Sequence, residues 1–188
     1  MTPANEIVAC STLKGKINHS NFVEAKNYQI NVPFVDLLGS PDGKRNRQLI
    51  YGSNVKYFSA AKGWAFIQNT YDNYVGYVPK STIASETQKT HIVTAPLAHV
   101  FIEPNIKSKN IEILPLAARV SGEVIENGFL ETELGWISVS QLKRKTELSK
   151  DPVEISKLLQ NAPYLWGGNT TLGIDCSGLF RFLCYFAA

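Results

Sequence analysis

The first half of the chain alternates short apolar runs with turn residues. Between residues 28 and 86, each apolar run is stopped by a segment rich in glycine, proline, asparagine or aspartate, such as 39–43. Proline presets φ and glycine supplies positive φ, so these segments end strands. Strands of about five residues with turns at about 8–12-residue intervals are typical of small β-barrels and sandwiches. The pattern therefore predicts an all-β domain over 28–86, preceded by a polar arm, 1–27, that is either loosely ordered or packed onto a later part of the chain.

The same order of elements recurs over residues 91–142. Leu49 and Ile113 mark strands that we predict to correspond. Positions that combine glycine with an aromatic residue match between the two copies, and the pairs are Gly63 and Gly128, Trp64 and Phe129, Gly76 and Gly135, and Tyr77 and Trp136. An internal repeat indicates a repeated structural unit, so we predict a second β domain over 91–142.

The pattern changes after residue 142. Residues 143–150 are charged and are interpreted as a solvated linker. Asp151 followed by Pro152 is a favourable helix start, and the helix is expected to end before Pro163. A glycine-rich loop then leads into an apolar segment, 179–186, that is also predicted to be helical, which places Cys176 at a helix N-terminus.

Composition narrows the function classes. The chain has 188 residues, of which 44% are hydrophobic, and a formal net charge of +3. This apolar fraction excludes disorder of the whole chain, and no stretch is long and apolar enough to span a membrane. The basic excess is too small to argue for a nucleic-acid partner, even with the basic segments 44–47 and 143–145.

Cysteine usage and the N-terminus bear on the compartment. Three cysteines without a CxxC motif do not form a disulfide framework, which favours a reducing environment. Residues 1–20 lack the apolar core of a signal peptide. We therefore expect a cytoplasmic location, with a periplasmic or cell-wall-associated location as the alternative.

Local chemistry at Cys176 leaves two interpretations open. A helix N-terminus favours the thiolate form, and a glycine-rich loop leaves the sulfur approachable, as a nucleophile requires. Most free cysteines are instead small buried residues.

The segment around Cys176 decides between them by resemblance. Residues 163–169, PYLWGGN, and 173–179, GIDCSGL, closely resemble the NlpC/P60 cysteine peptidase signature, P-Y-x-W-G-G followed by G-x-D-C-S-G. The repeated β domains resemble bacterial SH3 (SH3b) domains, which often precede this peptidase. The resemblance covers residues 28–188. It implies a mainly β chain with two small SH3b-like β-barrels, followed over 151–188 by the first helices of an incomplete α+β, papain-like NlpC/P60 domain.

The resemblance also assigns residues to the site. Cys176 corresponds to the nucleophile, Tyr164 to a tyrosine that helps hold the oxyanion or substrate, and Asp175 to a residue that contacts the free amine of the substrate. Ser177 is expected to line the same pocket. Gly167, Gly168 and Gly178 are expected to keep the backbone close-packed, and Trp166 to belong to the core.

The implied activity is hydrolysis of a bacterial cell-wall peptide. Proteins with this domain order typically cut the γ-D-glutamyl–diamino acid bond of peptides that begin with L-alanine, through an acyl-enzyme. The expected partner is therefore a peptidoglycan-derived L-Ala-γ-D-Glu-diamino acid peptide, with no cofactor and no metal. The oligomeric state stays open.

The sequence departs from the family pattern in one respect. The family takes its catalytic base from a histidine C-terminal to the cysteine, whereas His19, His91 and His99 all precede Cys176. The 38 residues after Lys150 are also few for an independent core. We therefore expect a truncated, inactive member of the family. The alternative is a non-catalytic pair of SH3b domains that binds wall peptides or a protein partner.

Overall fold

The computed structural model describes residues 1–148 and 151–187. Ser149 and Lys150, which end the predicted linker, and Ala188, which ends the predicted catalytic segment, lie outside the described residues. The strands, in chain order, are β1 (Ala9–Cys10), β2 (Phe22–Val23), β3 (Lys26–Ile30), β4 (Phe34–Leu38), β5 (Arg45–Ile50), β6 (Asn54–Ala61), β7 (Trp64–Asn69), β8 (Val75–Pro79), β9 (Ile83–Ser85), β10 (His91–Val93), β11 (Leu97–Phe101), β12 (Asn110–Pro115), β13 (Arg119–Val120), β14 (Gly122–Glu126), β15 (Phe129–Thr132), β16 (Gly135–Ser138), β17 (Leu142–Arg144), β18 (Asn169–Thr170) and β19 (Gly173–Ile174). The helices are α1 (Pro152–Leu158) and α2 (Cys176–Ala187).

Two β units with one strand order occupy most of the chain. The first unit is a seven-stranded sheet in the order β5-β4-β8-β7-β6-β3-β9. The second follows the same order in two sheets, β12-β11-β16-β15-β14 and β13-β10-β17, with the break between β14 and β10. The predicted mainly β fold with SH3b-like units is confirmed, although the described strands form open sheets rather than closed hydrogen-bonded barrels. The exact domain boundaries stay predictions.

The repeated glycines have a physical role in both units. Lys62 and Gly63 have φ of 49° and 83°, and Asn127 and Gly128 have φ of 49° and 79°. Positive φ at both central residues is the pattern of a two-residue type I′ hairpin, which matches the twist of the flanking strands. These turns join β6 to β7 and β14 to β15.

A second glycine pair allows close backbone approach. A Cβ on Gly76 would lie 2.4 Å from the carbonyl oxygen of Leu38, and one on Gly135 would lie 2.6 Å from that of Phe101. Both glycines therefore keep β8 and β16 against the strand that precedes them in the sheet, β4 and β11.

The register corrects one predicted correspondence. Leu49 pairs with Val35, and its counterpart in the second unit is Leu114, which pairs with Ala98. The predicted match of Leu49 with Ile113 was therefore off by one residue. Both hairpins carry a β-bulge near their ends, and a one-residue slip exchanges the buried and exposed faces of a strand.

Two predicted boundaries fall inside strands. β17 includes the first two residues of the predicted linker and pairs with β10, for example Arg144 with His91. β5 begins at Arg45, inside the segment read as a basic loop, and pairs with β4 through Leu38. In both places, backbone pairing overrides a polar sequence.

The arm of residues 1–27 packs onto the first unit, which was one of its two predicted alternatives. Val8 and Cys10 are buried against Phe58, Phe66 and Val75. The last residues of the arm already belong to β3.

The C-terminal segment shares a core with both β units. Ile155 and Leu159 of the α1 region and Phe182 of α2 are buried with Ile50 of the first unit and Leu116 of the second. The two β units also contact each other directly, since the hydroxyl of Tyr51 donates to Glu133, 3.1 Å away. No helix in the part of the chain that the structure describes is long and apolar enough to cross a membrane.

Candidate active site

Asp175 caps the helix that begins at Cys176. Its Oδ1 accepts hydrogen bonds from the N–H of Gly178 at 2.6 Å and from the hydroxyl of Ser177 at 2.7 Å. Its Oδ2 accepts from the N–H of Gly167 at 2.9 Å. Aspartate is a favourable N-cap because its carboxylate satisfies a free first-turn N–H and complements the positive end of the helix dipole. The cap fixes where α2 begins and places Cys176 in its first turn.

The carboxylate of Asp175 is held in its charged form. Burial disfavours the charge, but the hydrogen bonds from Ser177, Gly178 and Gly167 and the nearby positive charge of Arg47 outweigh it. The pKa of Asp175 therefore lies below its ordinary value. The site has a stable negative charge directly beside Cys176 at neutral pH.

A short hairpin carries the loop that precedes the cap. β18 pairs with β19, and the preceding segment joins the same ladder, because the N–H of Leu165 donates to the carbonyl of Ile174 at 3.1 Å. Tyr164 bridges to Ile174 in this ladder, and its side chain is 68% exposed. The hairpin therefore holds Tyr164 and Asp175 close together in space.

The glycines of the motif pack closely. A Cβ on Gly168 would lie 2.4 Å from the carbonyl oxygen of Gly173, and one on Gly178 would lie 2.6 Å from that of Gly168. Gly167 has φ of 70°, a conformation that favours glycine. All three positions have the close-packed geometry expected from the resemblance.

Cys176, Tyr164 and Asp175 line one open cavity of about 570 Å³. α1 and the turn after it supply the facing wall, including Lys157 and Leu159. Cys176 is exposed and has a free thiol. The structure thus brings the predicted nucleophile, the predicted tyrosine and the predicted amine-contacting carboxylate to one opening.

Two predicted residues have other positions. Ser177 is not among the described residues that line the cavity, and its hydroxyl donates to Asp175. Trp166, predicted to belong to the core, is 71% exposed. The prediction for Trp166 was wrong, because the tight turn at Gly167 directs residue 166 away from the hairpin's packed side.

The first β unit supports the site loop through its edge strand, a contact that the sequence did not indicate. The N–H of Gln48 donates to the carbonyl of Gly167 at 2.7 Å, and its Oε1 accepts from the N–H of Asn169 at 3.1 Å. Arg45 donates to the carbonyl of Trp166 at 3.3 Å. No local motif marks these strand residues, because their partners lie more than a hundred positions later in the chain.

The histidines have structural contacts elsewhere. His19 contacts the carbonyl of Asn5, His91 contacts Thr90, and His99 contacts Asn110. Burial and the charge of Arg144 lower the pKa of His91 below its ordinary value, despite the opposing charge of Glu147. None of the described residues that line the cavity at Cys176 is a histidine. Within the described part of the chain, no group of three His, Cys, Asp or Glu residues is arranged to hold a metal ion.

Comparisons with known proteins agree with this architecture. Residues 37–83 match the family model of the bacterial dipeptidyl-peptidase SH3 domain. The chain is 28% identical over 125 residues to a gamma-D-glutamyl-L-lysine dipeptidyl-peptidase from Bacillus cereus, over 57% of this chain and 38% of that protein. It is 24% identical over 163 residues to dipeptidyl-peptidase 6 from Lysinibacillus sphaericus, over 70% of this chain and 58% of that protein. The chain thus matches about half of the length of these relatives.

A solved structure shows the same fold. An NlpC/P60 family protein from Bacillus cereus superposes with a TM-score of 0.70 at 18% identity, over 85% of this chain and 72% of that one. The predicted resemblance to NlpC/P60 proteins with bacterial SH3 domains is confirmed.

Proposed function

We propose that this chain carries the nucleophile segment of a cysteine peptidase that hydrolyses the γ-D-glutamyl–diamino acid bond of peptidoglycan-derived peptides. One observation carries the proposal. Cys176 is exposed in the first turn of α2 and opens into the same cavity as Tyr164 and Asp175. The names of the curated relatives, dipeptidyl-peptidases for γ-D-glutamyl peptides in one case, support the substrate class.

The proposed chemistry is acyl transfer. The sulfur of Cys176 attacks the γ-carbonyl carbon of D-glutamate, the bond from that carbon to the diamino acid nitrogen breaks, and the thiol proton passes through a base to the leaving amine. Water then hydrolyses the thioester and releases L-Ala-γ-D-Glu.

The helix start also provides donors for the transient oxyanion. The first-turn N–H groups of a helix have no intrahelical acceptor. Asp175 accepts from that of Gly178, and no described residue accepts from those of Cys176 and Ser177. Preorganised N–H donors of this kind stabilise a tetrahedral intermediate.

Asp175 is suited to hold the free amino terminus of the substrate. Its carboxylate stays ionised, and the hydrogen bonds from Ser177, Gly178 and Gly167 use only three of its approximately four acceptor positions. A protonated amine that approached through the cavity would find the remaining position on Oδ2. This arrangement would select peptides with an unblocked L-alanine.

The catalytic base is the missing part of this proposal. Because no histidine of the sequence follows Cys176 and none lies at its cavity, we expect the 188-residue polypeptide to release no dipeptide from L-Ala-γ-D-Glu-L-Lys. Release that depends on Cys176 would show that another group acts as base. A cytoplasmic location stays a prediction.

A test that needs no base uses an electrophilic peptide. L-Ala-γ-D-Glu bearing a chloromethyl ketone at the γ-position should alkylate Cys176, with a bond forming between sulfur and the methylene carbon and chloride leaving. Cys184 is a matched control, since it is also exposed and lies on α2. The readout is the labelling rate of each cysteine relative to its rate with iodoacetamide, measured by peptide mass mapping.

We expect this relative rate to be at least about tenfold higher at Cys176 than at Cys184, and excess L-Ala-γ-D-Glu-L-Lys to reduce it to the level of Cys184. A tenfold preference corresponds to about 1.4 kcal/mol of binding in the transition state. Equal relative rates at the two cysteines would contradict the proposal and favour the non-catalytic binding module. The N-acetylated probe should lose the preference if Asp175 holds the amine.

A further inference from the structure

A second, small cavity lies where the first β unit meets α2. Its volume is about 60 Å³, and it shares no lining residue with the cavity at Cys176. A space of this size holds a few water molecules or one small oxyanion. Its polar lining includes side chains from three separate elements, namely Arg47 of β5, Asp72 of the β7–β8 loop, Asn169 of β18 and Arg181 of α2.

The charges around this cavity are unbalanced. Both guanidinium groups approach the same carboxylate oxygen, since Arg47 Nε lies 3.2 Å and Arg181 Nη1 lies 3.7 Å from Asp72 Oδ2. The side chain of Arg47 is only 4% exposed and that of Arg181 is 14% exposed. Two buried cations therefore share one anion, and Arg119, which also lines the cavity, adds a further positive charge.

Asp72 has little capacity left to balance them. Its Oδ1 accepts from the side-chain amide of Asn69 at 2.7 Å and from the N–H of Tyr74 at 3.2 Å. The guanidinium of Arg47 also stacks on the ring of Tyr74, 3.9 Å from its centroid, which fixes its orientation. The loop thus immobilises both members of the ion pair.

Three buried polar atoms that belong to this lining have no hydrogen-bond partner among the described residues. They are Nη1 of Arg47, Nη2 of Arg181 and Oδ1 of Asn169. A buried donor without an acceptor costs about 1–3 kcal/mol, and more when it belongs to a charged group. The set consists of two cationic donors and one neutral acceptor.

We propose that this cavity is a binding site for one small oxyanion that carries a hydroxyl group, of the hydrogenphosphate type. Its oxygens would accept from Arg47 and Arg181, and its O–H would donate to Asn169 Oδ1. Because the ligand would bridge β5, β18 and α2, it would stabilise the contact between the first β unit and the helix of Cys176. The site goes beyond the proposed peptidase activity and does not depend on it.

Thermal unfolding at constant ionic strength tests the proposal. Sodium phosphate, sodium sulfate and sodium chloride are compared at neutral pH on the full chain. We expect a saturable increase in Tm with phosphate, of about 3–6 °C at a tenfold excess over Kd. Sulfate, which has the same shape but no proton to donate at this pH, should bind more weakly, and chloride should have no saturable effect.

Two variants locate the effect. Arg181→Gln should lose the phosphate response, whereas Arg45→Gln should keep it, since Arg45 lies on the same strand as Arg47 but does not line the cavity. No saturable effect of phosphate on the wild-type protein, or an equal effect in Arg181→Gln, would overturn the proposal.

A further variant serves if Arg181→Gln fails to fold. Asn169→Asp places a carboxylate of nearly the same shape in the cavity, so the chain supplies its own anion. We expect this variant to have a higher Tm than the wild type in chloride and no response to phosphate. A lower Tm together with an unchanged phosphate response would overturn the proposal.

Discussion

The edge strands β5 and β12 occupy the same position in the two β units and have different surroundings. Each is the terminal strand of its sheet and pairs with the strand before it. The free edge of β5 is covered by the site loop, through the bond from Gln48 to Gly167. On β12, Ile111 and Ile113 are exposed apolar residues, and among the described elements none is hydrogen-bonded along its free side.

The difference lies in a few side chains rather than in the backbone. By the register of the two hairpins, Arg47 corresponds to Glu112 and Gln48 to Ile113. The buried counterparts, Leu49 and Leu114, are both apolar. The repeat therefore keeps the core residue, whereas the polar residues that hold the site loop are present in the first unit alone.

The apolar core that supports α2 draws on both units. Ile50 comes from the first, and Ile92, Leu116 and Ala117 come from the second. Both units thus bury the helix, but the first alone supplies the polar contacts of its cavity with Arg181. Three predictions test this division.

The largest effect is expected at the buried face of α2. Phe182→Ala should lower the free energy of unfolding by about 3–5 kcal/mol, because it removes a side chain that is 4% exposed and leaves a cavity between the helix and both units. Phe180→Ala, on the same helix with a side chain that is 67% exposed, should change it by less than about 0.5 kcal/mol. Urea denaturation measures both, and similar losses in the two variants would show that α2 is not held by the units as described.

A smaller effect compares the two edge strands directly. Gln48→Ala should cost about 1–3 kcal/mol, because the N–H of Asn169 loses its acceptor in a partly buried position. Ile113→Ala, at the equivalent position, should cost less than about 1 kcal/mol, since its side chain is largely exposed. The same denaturation assay applies. If the Ile113 variant is the more destabilised of the two, the two edges do not differ in the way proposed.

The smallest effect concerns the helix cap and depends on pH. The native pKa of Asp175 is below its ordinary value of about 3.9, so the unfolded chain binds its proton first as the pH falls. Its charge therefore stabilises the fold fully above about pH 4, and this contribution is lost as the pH falls through the lower native pKa.

Asp175→Asn, which keeps an acceptor at the cap, should lower the free energy of unfolding by about 0.5–1 kcal/mol at pH 7. The difference from the wild type should shrink below about pH 4. Asp42→Asn, in an exposed turn, is the control for a carboxylate outside the site. A difference at Asp175 that is constant from pH 3 to pH 7 would show that the charge has no part in it.

The sequence by itself determined the local structure. Period-two apolar patterns and turn residues predicted the strands, the glycine–aromatic pairs predicted the repeat, and Asp151 with Pro152 predicted the start of α1. These features depend on neighbours within a few residues, so composition and spacing are sufficient to reveal them. The signature around Cys176 indicated the site by resemblance, before any contact was known.

Only the tertiary structure decided which distant residues meet. Arg47 and Gln48 were read as a basic loop and the start of a strand, yet they contact residues more than a hundred positions away. Trp166 was expected in the core and is exposed. Burial and hydrogen-bond partners depend on how separate elements pack, and packing is a property of the whole fold that no local pattern in the chain records.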